Sequence, residues 1–244
     1  MVLKDISFSD PLENILFDDV LLQLAEEGRQ GEALRFWESE KLFIVLGRTS
    51  RPEQDLRKET VLQDNILVLR RSSGGGTVLQ GKGCLNFSLI LSKQANVQVA
   101  TIHKSYEFIL GNVIAALKNL GVDTFFKPIS DLAMMNGPNE QKISGNAQKR
   151  GKKFVLHHGT VLYNFPLGNI ERYLTIPQSV PEYRRGRSHL DFVANFPKPA
   201  GDIKQAIRSV FSANKEEPVT FQEKEHLEYL KRTRDIVVDV SRVV

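Results

Sequence analysis

The sequence predicts an α+β fold in which a mixed or antiparallel β-sheet is flanked by helices. Short runs rich in Ile, Val and Leu, typical of strands, are interspersed irregularly with longer segments of helical periodicity. Two strand-like segments joined by a glycine-containing turn indicate a β-hairpin. The elements do not follow the regular alternation of strand and helix that a parallel βαβ sheet requires, so a mixed sheet is favoured.

The first helix is predicted between Asp10 and Gly28. Asp10 is a good N-cap, Pro11 suits the first helical position, and Gly28 is typical of a helix end. The residues expected on its inward face are Leu12, Ile15, Leu16, Val20 and Leu24. Two short strands should follow, at Leu42–Leu46 and Ile66–Leu69.

A second helix is predicted from Thr101 to Leu120, with Gly121 as its cap. Its inward residues should be Ile102, Ile109, Val113 and Leu117. The hairpin follows, with Lys142–Gln148 and 154–165 as its strands. Two further helices should start at Asp202 and at Thr220, where Thr220 and Glu223 form a capping box.

The composition is that of a globular protein. The chain has 244 residues, 41% hydrophobic and 25% charged, which is enough to bury a full core, and we expect one domain. The strongest apolar run, Leu42–Leu46, is far shorter than the roughly 20 residues of a membrane span. The N-terminus lacks the pattern of a secretory signal, and the single cysteine cannot form an internal disulfide. We therefore expect no membrane association and a cytoplasmic location.

The net charge of +4 indicates a mildly basic surface. The Lys and Arg residues are dispersed rather than clustered with aromatic residues, so nucleic acid is not expected as a partner. The basic turn at residues 149–153 and the arginines Arg184, Arg185 and Arg187 could instead face an acidic protein.

A glycine-rich segment follows the second predicted strand, where Arg70–Val78 reads Arg-Arg-Ser-Ser-Gly-Gly-Gly-Thr-Val. Glycines let the backbone turn sharply and present N–H groups to anionic oxygens, and arginine donors match phosphate. The spacing is not that of a P-loop, and the strand-like run after Val78 does not fit a dinucleotide-binding fingerprint. Taken alone, the segment could equally be a hairpin loop with solvated arginines.

The predicted hairpin carries a second polar segment, Lys142-Ile-Ser-Gly-Asn-Ala-Gln148. Strand alternation predicts that Lys142, Ser144 and Asn146 share one face, which would line a ligand site or form a solvated edge. The partner strand contains His157-His-Gly-Thr160. Adjacent histidines point to opposite faces of a strand, which disfavours a zinc site.

Together these segments resemble the signature of the lipoate–protein ligase family, whose catalytic domain is of the biotin/lipoate protein ligase type. The family pattern is an Arg-Arg-x-Ser-Gly-Gly-Gly loop, an Asn in the next strand (here Asn86), Lys-[Ile/Val]-Ser-Gly-[Asn/Ser]-Ala, and His-Gly-Thr. The match spans about residues 12–215. The resemblance implies a single catalytic domain over residues 1–244, with a short C-terminal helix and tail and no large accessory domain.

The resemblance implies an ATP-dependent ligase that acts in two steps. Lipoate, or octanoate, attacks the α-phosphate of ATP to form lipoyl-AMP and pyrophosphate, and a carrier lysine then takes the lipoyl group. The implied cofactors are ATP and Mg²⁺, with lipoate as substrate. The implied partner is a lipoyl carrier domain, such as that of a 2-oxoacid dehydrogenase acyltransferase subunit or the glycine cleavage H protein. Some relatives also need a separate accessory subunit.

The resemblance also assigns roles to individual residues. Lys142 takes the catalytic role, between the lipoate carboxylate and the α-phosphate. The residues expected at ATP or lipoyl-AMP are Lys142, Arg71, Ser73, Gly75, Gly76, Thr77, Val78, Leu79 and Asp131. Those expected at lipoate are Gly75, Lys142, His158 and Gly159. Asp131 could also hold Mg²⁺. The sequence departs from the pattern at Ser130, where relatives often carry Asn, and at Gln80, in place of His or Asp.

Three alternative functions remain open at this point. An octanoyl or lipoyl transferase acting without ATP would use a cysteine thioester, and Cys84 is the only cysteine. A biotin ligase would need a Gly-Arg-Gly-Arg loop, which is absent. A lipoyl- or nucleotide-binding module without activity would not need Lys142.

Overall fold

The computed structural model describes residues 1–177 and 180–242. Within these residues the strands are β1 (Val2–Asp5), β2 (Ala33–Trp37), β3 (Phe43–Leu46), β4 (Leu67–Arg70), β5 (Val78–Gln80), β6 (Cys84–Ser92), β7 (Thr124–Lys127), β8 (Asp131–Asn136), β9 (Asn139–Arg150), β10 (Phe154–Leu162) and β11 (Lys215–Glu216). The helices are α1 (Pro11–Glu26), α2 (Pro52–Asp55), α3 (Lys58–Gln63), α4 (Ile102–Lys118), α5 (Gly168–Tyr173), α6 (His189–Phe192), α7 (Ala200–Val210) and α8 (Phe221–Thr233).

The strands form two sheets, which confirms the predicted α+β class. The large sheet has the order β11-β1-β2-β6-β10-β9-β8-β7 and is mixed, because β1 runs parallel to β2 and β11 while the central pairs are antiparallel. The small sheet has the order β4-β3-β5, with β3 parallel to β4 and antiparallel to β5.

Helices cover both faces of the large sheet. On one face α4 and α7 pack over Leu89 and Leu91 of β6, and on the other α1 and α8 pack over Ile90. Alternate residues of one strand thus enter different layers, as the pleat of a strand requires. No helix in the described part of the chain is long and apolar enough to cross a membrane.

A buried charge ties α1 to the large sheet. Arg35 of β2 is fully buried, donates to Asp18 Oδ1 at 2.7 Å, and lies 4.9 Å above the Phe17 ring. Ser88 donates to the other carboxylate oxygen of Asp18 at 2.7 Å. The buried ions are therefore paired and hydrogen-bonded, which offsets their desolvation.

The C-terminal segment lies along the small sheet. After α8, the Arg70 N–H donates to the Ile236 carbonyl at 2.8 Å and the Val238 N–H donates to the Val68 carbonyl at 2.9 Å. Val240 is buried against the small sheet. The end of the described chain thereby supports β4, the strand that leads into the glycine-rich segment.

Most predicted elements are confirmed, with boundaries shifted by a few residues. Asp10 caps α1 by accepting from the Leu12 N–H, and Thr220 and Glu223 form the capping box of α8. The hairpin of β9 and β10 is also present. The inward prediction for Ile102 is wrong, because Ile102 is 55% exposed at the first position of α4 and the buried face of that helix starts only at Ser105.

Candidate active site

A cleft of about 790 Å³ opens between the two sheets. The strands β5, β6, β9 and β10 contribute side chains to it, and so do α1 and residues 180–192. The glycine loop, which we define as residues 71–77 between β4 and β5, forms one wall. Predicted site residues that line the cleft are Arg71, Ser73, Gly75, Gly76, Thr77, Val78, Asp131, Lys142 and His158.

Arg71 organises the glycine loop from within. Its Nη2 donates to the carbonyls of Gly74 and Gly76 at 2.7 and 2.8 Å, and its Nε donates to Ser73 Oγ at 3.0 Å. Burial lowers the pKa of Arg71 to about 10, so the guanidinium stays charged at neutral pH. Arg71 therefore lines the cleft but uses most of its donors to fix the shape of the loop.

Glycine is required where the backbone of the glycine loop passes closest to neighbouring atoms. Gly75 has φ +85°, and a Cβ there would lie 2.9 Å from Arg71 Nη2. A Cβ on Gly47, in the segment after β3, would lie 1.9 Å from the Gly75 carbonyl oxygen. Residues with side chains at these positions would push the loop away from β3, so both glycines keep the loop against the cleft wall.

Ser73 joins the glycine loop to the large sheet. Ser73 Oγ and His158 Nε2 are 2.6 Å apart. Burial and the positive charge of Arg71 hold the pKa of His158 well below its usual range, so the ring is neutral. Ser73 can thus donate to His158 Nε2 while its oxygen accepts from Arg71, which fixes the loop relative to β10.

Lys142 and Asp131 form an ion pair inside the cleft. Lys142 Nζ lies 2.8 Å from Asp131 Oδ1, and Tyr183 Oη donates to Asp131 Oδ2 at 2.7 Å. Burial and the negative charge of Asp131 raise the pKa of Tyr183, so its hydroxyl remains a donor. Sequence reasoning did not predict the Tyr183 contact, because 52 residues separate it from Asp131.

The prediction that Lys142 shares a face with Ser144 and Asn146 is wrong, because β9 contains a β-bulge. Lys142 pairs with Ala133 and Ser144 with Leu132, which leaves Ile143 as an extra residue in β9. Ile143 enters the core beneath α4 and α7, and a Cβ on Gly145 would lie 2.9 Å from Lys142 Nζ. Lys142 therefore shares a face with Gly145 and not with Ser144 or Asn146, since a bulge changes the phase of alternation.

Two predicted ligand residues do not line the cleft. Leu79 pairs with Ile44 and its side chain is buried in the core of the small sheet, while its neighbours in β5 face the cleft. Gly159 lies on the far face of β10, where a Cβ would come within 2.7 Å of the Phe87 ring. In both cases the residue next to a cleft-facing residue points away from the cleft.

Three polar side chains form a network on the cleft floor. Gln80 donates to Thr160 Oγ1 at 2.8 Å and accepts from Asn86 Nδ2 at 2.9 Å. Thr160 Oγ1 in turn donates to Asn86 Oδ1. Asn86 and Thr160 are directly paired across β6 and β10. The network thus joins Asn86 to Thr160 of the His-Gly-Thr motif, although 74 residues separate them in the sequence.

Asp19 of α1 contacts the glycine loop, β9 and the segment that follows α8. Its Oδ1 accepts from Ser72 Oγ at 2.6 Å and from Lys149 Nζ at 2.8 Å, and its Oδ2 accepts from Arg234 Nη1 at 2.7 Å. Sequence reasoning missed Asp19, because its position among the apolar residues of α1 carries no signal for a loop contact.

Part of the predicted basic docking face is engaged inside the fold, whereas Lys152, Lys153 and Arg185 are exposed. Lys149 pairs with Asp19, and Arg150 donates to the carbonyls of Val99 and Ala100, just before α4. Arg184 is buried beside the cleft. These cations are used inside the fold, because neighbouring elements present acceptors to them.

Cys84 is not placed for catalysis. It is fully buried in the core of the small sheet, does not line the cleft, and lies 3.9 Å from the Leu79 carbonyl oxygen. Burial strongly raises the pKa of its thiol, which disfavours the nucleophilic thiolate.

The metal role predicted for Asp131 does not fit the site. Both carboxylate oxygens of Asp131 are engaged, one by Lys142 and the other by Tyr183. Among the described residues, no three His, Cys, Asp or Glu side chains are grouped so that they could hold a metal ion. The described residues around Asp131 therefore do not form a metal site.

Solved structures define the class of fold. A bi-partite lipoate protein ligase from Thermoplasma acidophilum, studied with its E2 lipoyl domain, superimposes with a TM-score of 0.80 at 22% identity, covering 96% of this chain and 92% of that chain. A lipoate-protein ligase A bound with ATP gives a TM-score of 0.79 at 20% identity, covering 96% and 94%. The fold is thus that of the lipoate–protein ligases.

The sequence places the chain in the corresponding family. Residues 10–217 match the family model of the lipoyl protein ligase A/B catalytic domain, and the chain belongs to that family. A probable lipoate-protein ligase A from Mycoplasma pneumoniae is 29% identical over 169 residues, which are 69% of this chain. The chain spans about half the length of the curated relatives it matches, 47% in this case.

Proposed function

We propose that this protein is a lipoate–protein ligase, which activates lipoate or octanoate with ATP and transfers the acyl group to a lysine of a carrier domain. The observation that carries the proposal is the Lys142–Asp131 pair in a cleft walled by the glycine loop. Two relatives add support: one similar structure is described as bound with ATP, and another was studied with an E2 lipoyl domain.

In the first step, a carboxylate oxygen of the acid attacks the α-phosphorus of ATP. The bond to the β-phosphate oxygen breaks, and the electron pair leaves with pyrophosphate. Two anions must approach each other, so a fixed cation between them lowers the barrier. Lys142 is suited to this role because Asp131 positions its ammonium group, and Tyr183 holds Asp131 from the other side.

In the second step, the ε-amine of the carrier lysine attacks the acyl carbonyl of lipoyl-AMP. An amide bond forms, the amine loses a proton, and the acyl–oxygen bond breaks so that AMP leaves. Negative charge develops on the carbonyl oxygen, and the same Lys142 ammonium can stabilise it. The acceptor lysine can reach this site from solvent, since the Lys142 side chain is 28% exposed within the cleft.

The glycine loop is suited to bind the adenylate because its shape is fixed before any ligand arrives. Arg71 and the Ser73–His158 contact hold the backbone. Binding to a preorganised loop avoids the entropic cost of ordering it. We propose that the catalytic unit comprises both sheets, because the cleft is lined from both.

The proposal is tested by identifying products. The purified protein is incubated with ATP, magnesium, lipoate and an apo lipoyl domain, and lipoyl-AMP, pyrophosphate and the acceptor mass are followed by mass spectrometry. We expect all three products, with acceptor modification dependent on ATP. Acceptor modification by a lipoyl or octanoyl donor domain without ATP would establish a transferase instead. Adenylation that appears only after a partner subunit is added would restrict the proposal to a ligase half.

A further inference from the structure

Arg184 is a buried cation that lacks a counter-charge. The residue is 4% exposed and lines the cleft. Its Nη2 is buried without a hydrogen-bond partner, and no carboxylate in the described part of the chain forms an ion pair with it. Its Nε donates to the Arg187 carbonyl at 3.0 Å, and its guanidinium lies 4.8 Å above the Phe192 ring.

The backbone around Arg184 is held firmly to the large sheet. Arg187 Nη1 donates to the Glu140 carbonyl of β9 at 2.6 Å, and its Nη2 donates to the Tyr183 carbonyl at 2.8 Å. Tyr183 in turn donates to Asp131. The Arg184 guanidinium is therefore fixed beside the cleft rather than free to swing into solvent.

Such an arrangement is costly without a ligand. A buried guanidinium with an unused donor loses its hydration and gains no full replacement. The other cations that line the cleft do not share this property. Arg71 is hydrogen-bonded within the loop, Lys142 is paired with Asp131, and Arg51 is exposed. Arg184 is thus the described cleft cation best prepared to receive an anion.

We propose that Arg184 binds the β- and γ-phosphate oxygens of ATP, the part that leaves as pyrophosphate. This inference rests on the proposed function, in which Lys142 serves the α-phosphate and the carboxylate. The two outer phosphates then carry most of the remaining negative charge. A planar guanidinium matches phosphate oxygens through parallel hydrogen bonds, and charge placed there stabilises the departing group.

The test compares ATP with AMP in binding measurements that need no catalysis. Isothermal titration without lipoate should show that Arg184→Met weakens ATP binding about 10- to 100-fold, the scale of losing hydrogen bonds to a charged group. AMP binding should stay within a few-fold of wild type. Arg184→Lys should recover part of the ATP affinity. The exposed neighbour supplies a matched control, and Arg185→Met should bind both nucleotides like wild type.

Thermal melting separates this role from a structural one. Since an unpaired buried charge opposes folding, ligand-free Arg184→Met should melt at or above the wild-type temperature. A clearly lower melting temperature, or equal losses of ATP and AMP affinity, would overturn the inference. A wild type that binds neither nucleotide would contradict the proposed function itself, and this inference with it, before any variant is compared.

Discussion

The behaviour of single residues in the cleft depends on the neighbouring side chains that they contact. Asp131 is held between Lys142 and Tyr183, and His158 stays neutral between Ser73 and the nearby Arg71 charge. Lys142, Asp131 and His158 could be predicted from the sequence, because they lie in or beside recognisable motifs. Tyr183 and Asp19 could not be predicted in this way, because their roles depend on contacts between distant segments.

Cys84 is predicted to be dispensable for activity. It is buried outside the cleft with a raised thiol pKa, so no catalytic step can use it as the structure stands. Cys84→Ala should retain acceptor modification within a few-fold of wild type while losing about 1 kcal/mol of stability to a small cavity. Steady-state assays and urea unfolding measure the two effects. An acyl-thioester trapped on Cys84 would support a transferase and refute the ligase proposal.

At the scale of secondary structure, the glycine loop is positioned by its neighbours rather than by its own flexibility. Two hydrogen bonds anchor it, one between Ser73 and His158 and the other between Ser72 and Asp19. The sequence predicted the loop and the hairpin that faces it, because glycines and strand patterns are local signals. It did not predict the bulge at Ile143, because that bulge arises where β9 must satisfy both the core and the cleft.

Asp19→Asn is predicted to loosen the glycine loop. Lys149 and Arg234 would lose their shared carboxylate, and Ser72 would lose a charged acceptor. We expect the KM for ATP to rise several-fold and the free energy of unfolding to fall by about 2–3 kcal/mol, as for hydrogen bonds to a buried charge. Enzyme kinetics and urea denaturation provide the readouts.

The matched control for Asp19 is the more exposed Asp5, which pairs with Lys204 at 2.6 Å away from the cleft. Asp5→Asn should cost less than about 1 kcal/mol, as is typical of surface ion pairs, and leave the KM for ATP unchanged. If Asp19→Asn also leaves the KM for ATP unchanged, Arg71 and Ser73 alone suffice to hold the loop.

For the whole molecule, the packing around β10 makes stability sensitive to acid. Burial lowers the pKa of His157 to about 3, whereas an unfolded histidine titrates near 6.5. Between these values the unfolded chain binds more protons, so the free energy of unfolding must fall as the pH drops through this window. The lowered pKa of His158 acts in the same direction.

His157→Gln should therefore flatten the dependence of stability on pH. Urea unfolding at pH 7.5 and pH 5 should show a smaller loss of stability in this variant than in wild type. His103, which is exposed, offers the control, and His103→Gln should retain the wild-type dependence. An unchanged slope in His157→Gln would mean that other groups govern the acid response.

The central claim is that Lys142 is the cation on which adenylation depends. Lys142→Ala should reduce pyrophosphate release with ATP and lipoate by about 10²–10³-fold, the scale of removing one electrostatic stabiliser. Lys142→Arg should not recover full activity, since a planar guanidinium cannot occupy the same point beside Asp131. Lys204→Ala is the control, because Lys204 is similarly exposed, 32% against 28%, and is also paired with an aspartate.

The decisive measurement is pyrophosphate release by Lys142→Ala, recorded together with a thermal melt. The account predicts a protein that melts close to wild type and forms almost no lipoyl-AMP. A Lys142→Ala protein that is equally well folded and forms lipoyl-AMP at a near-normal rate would contradict it.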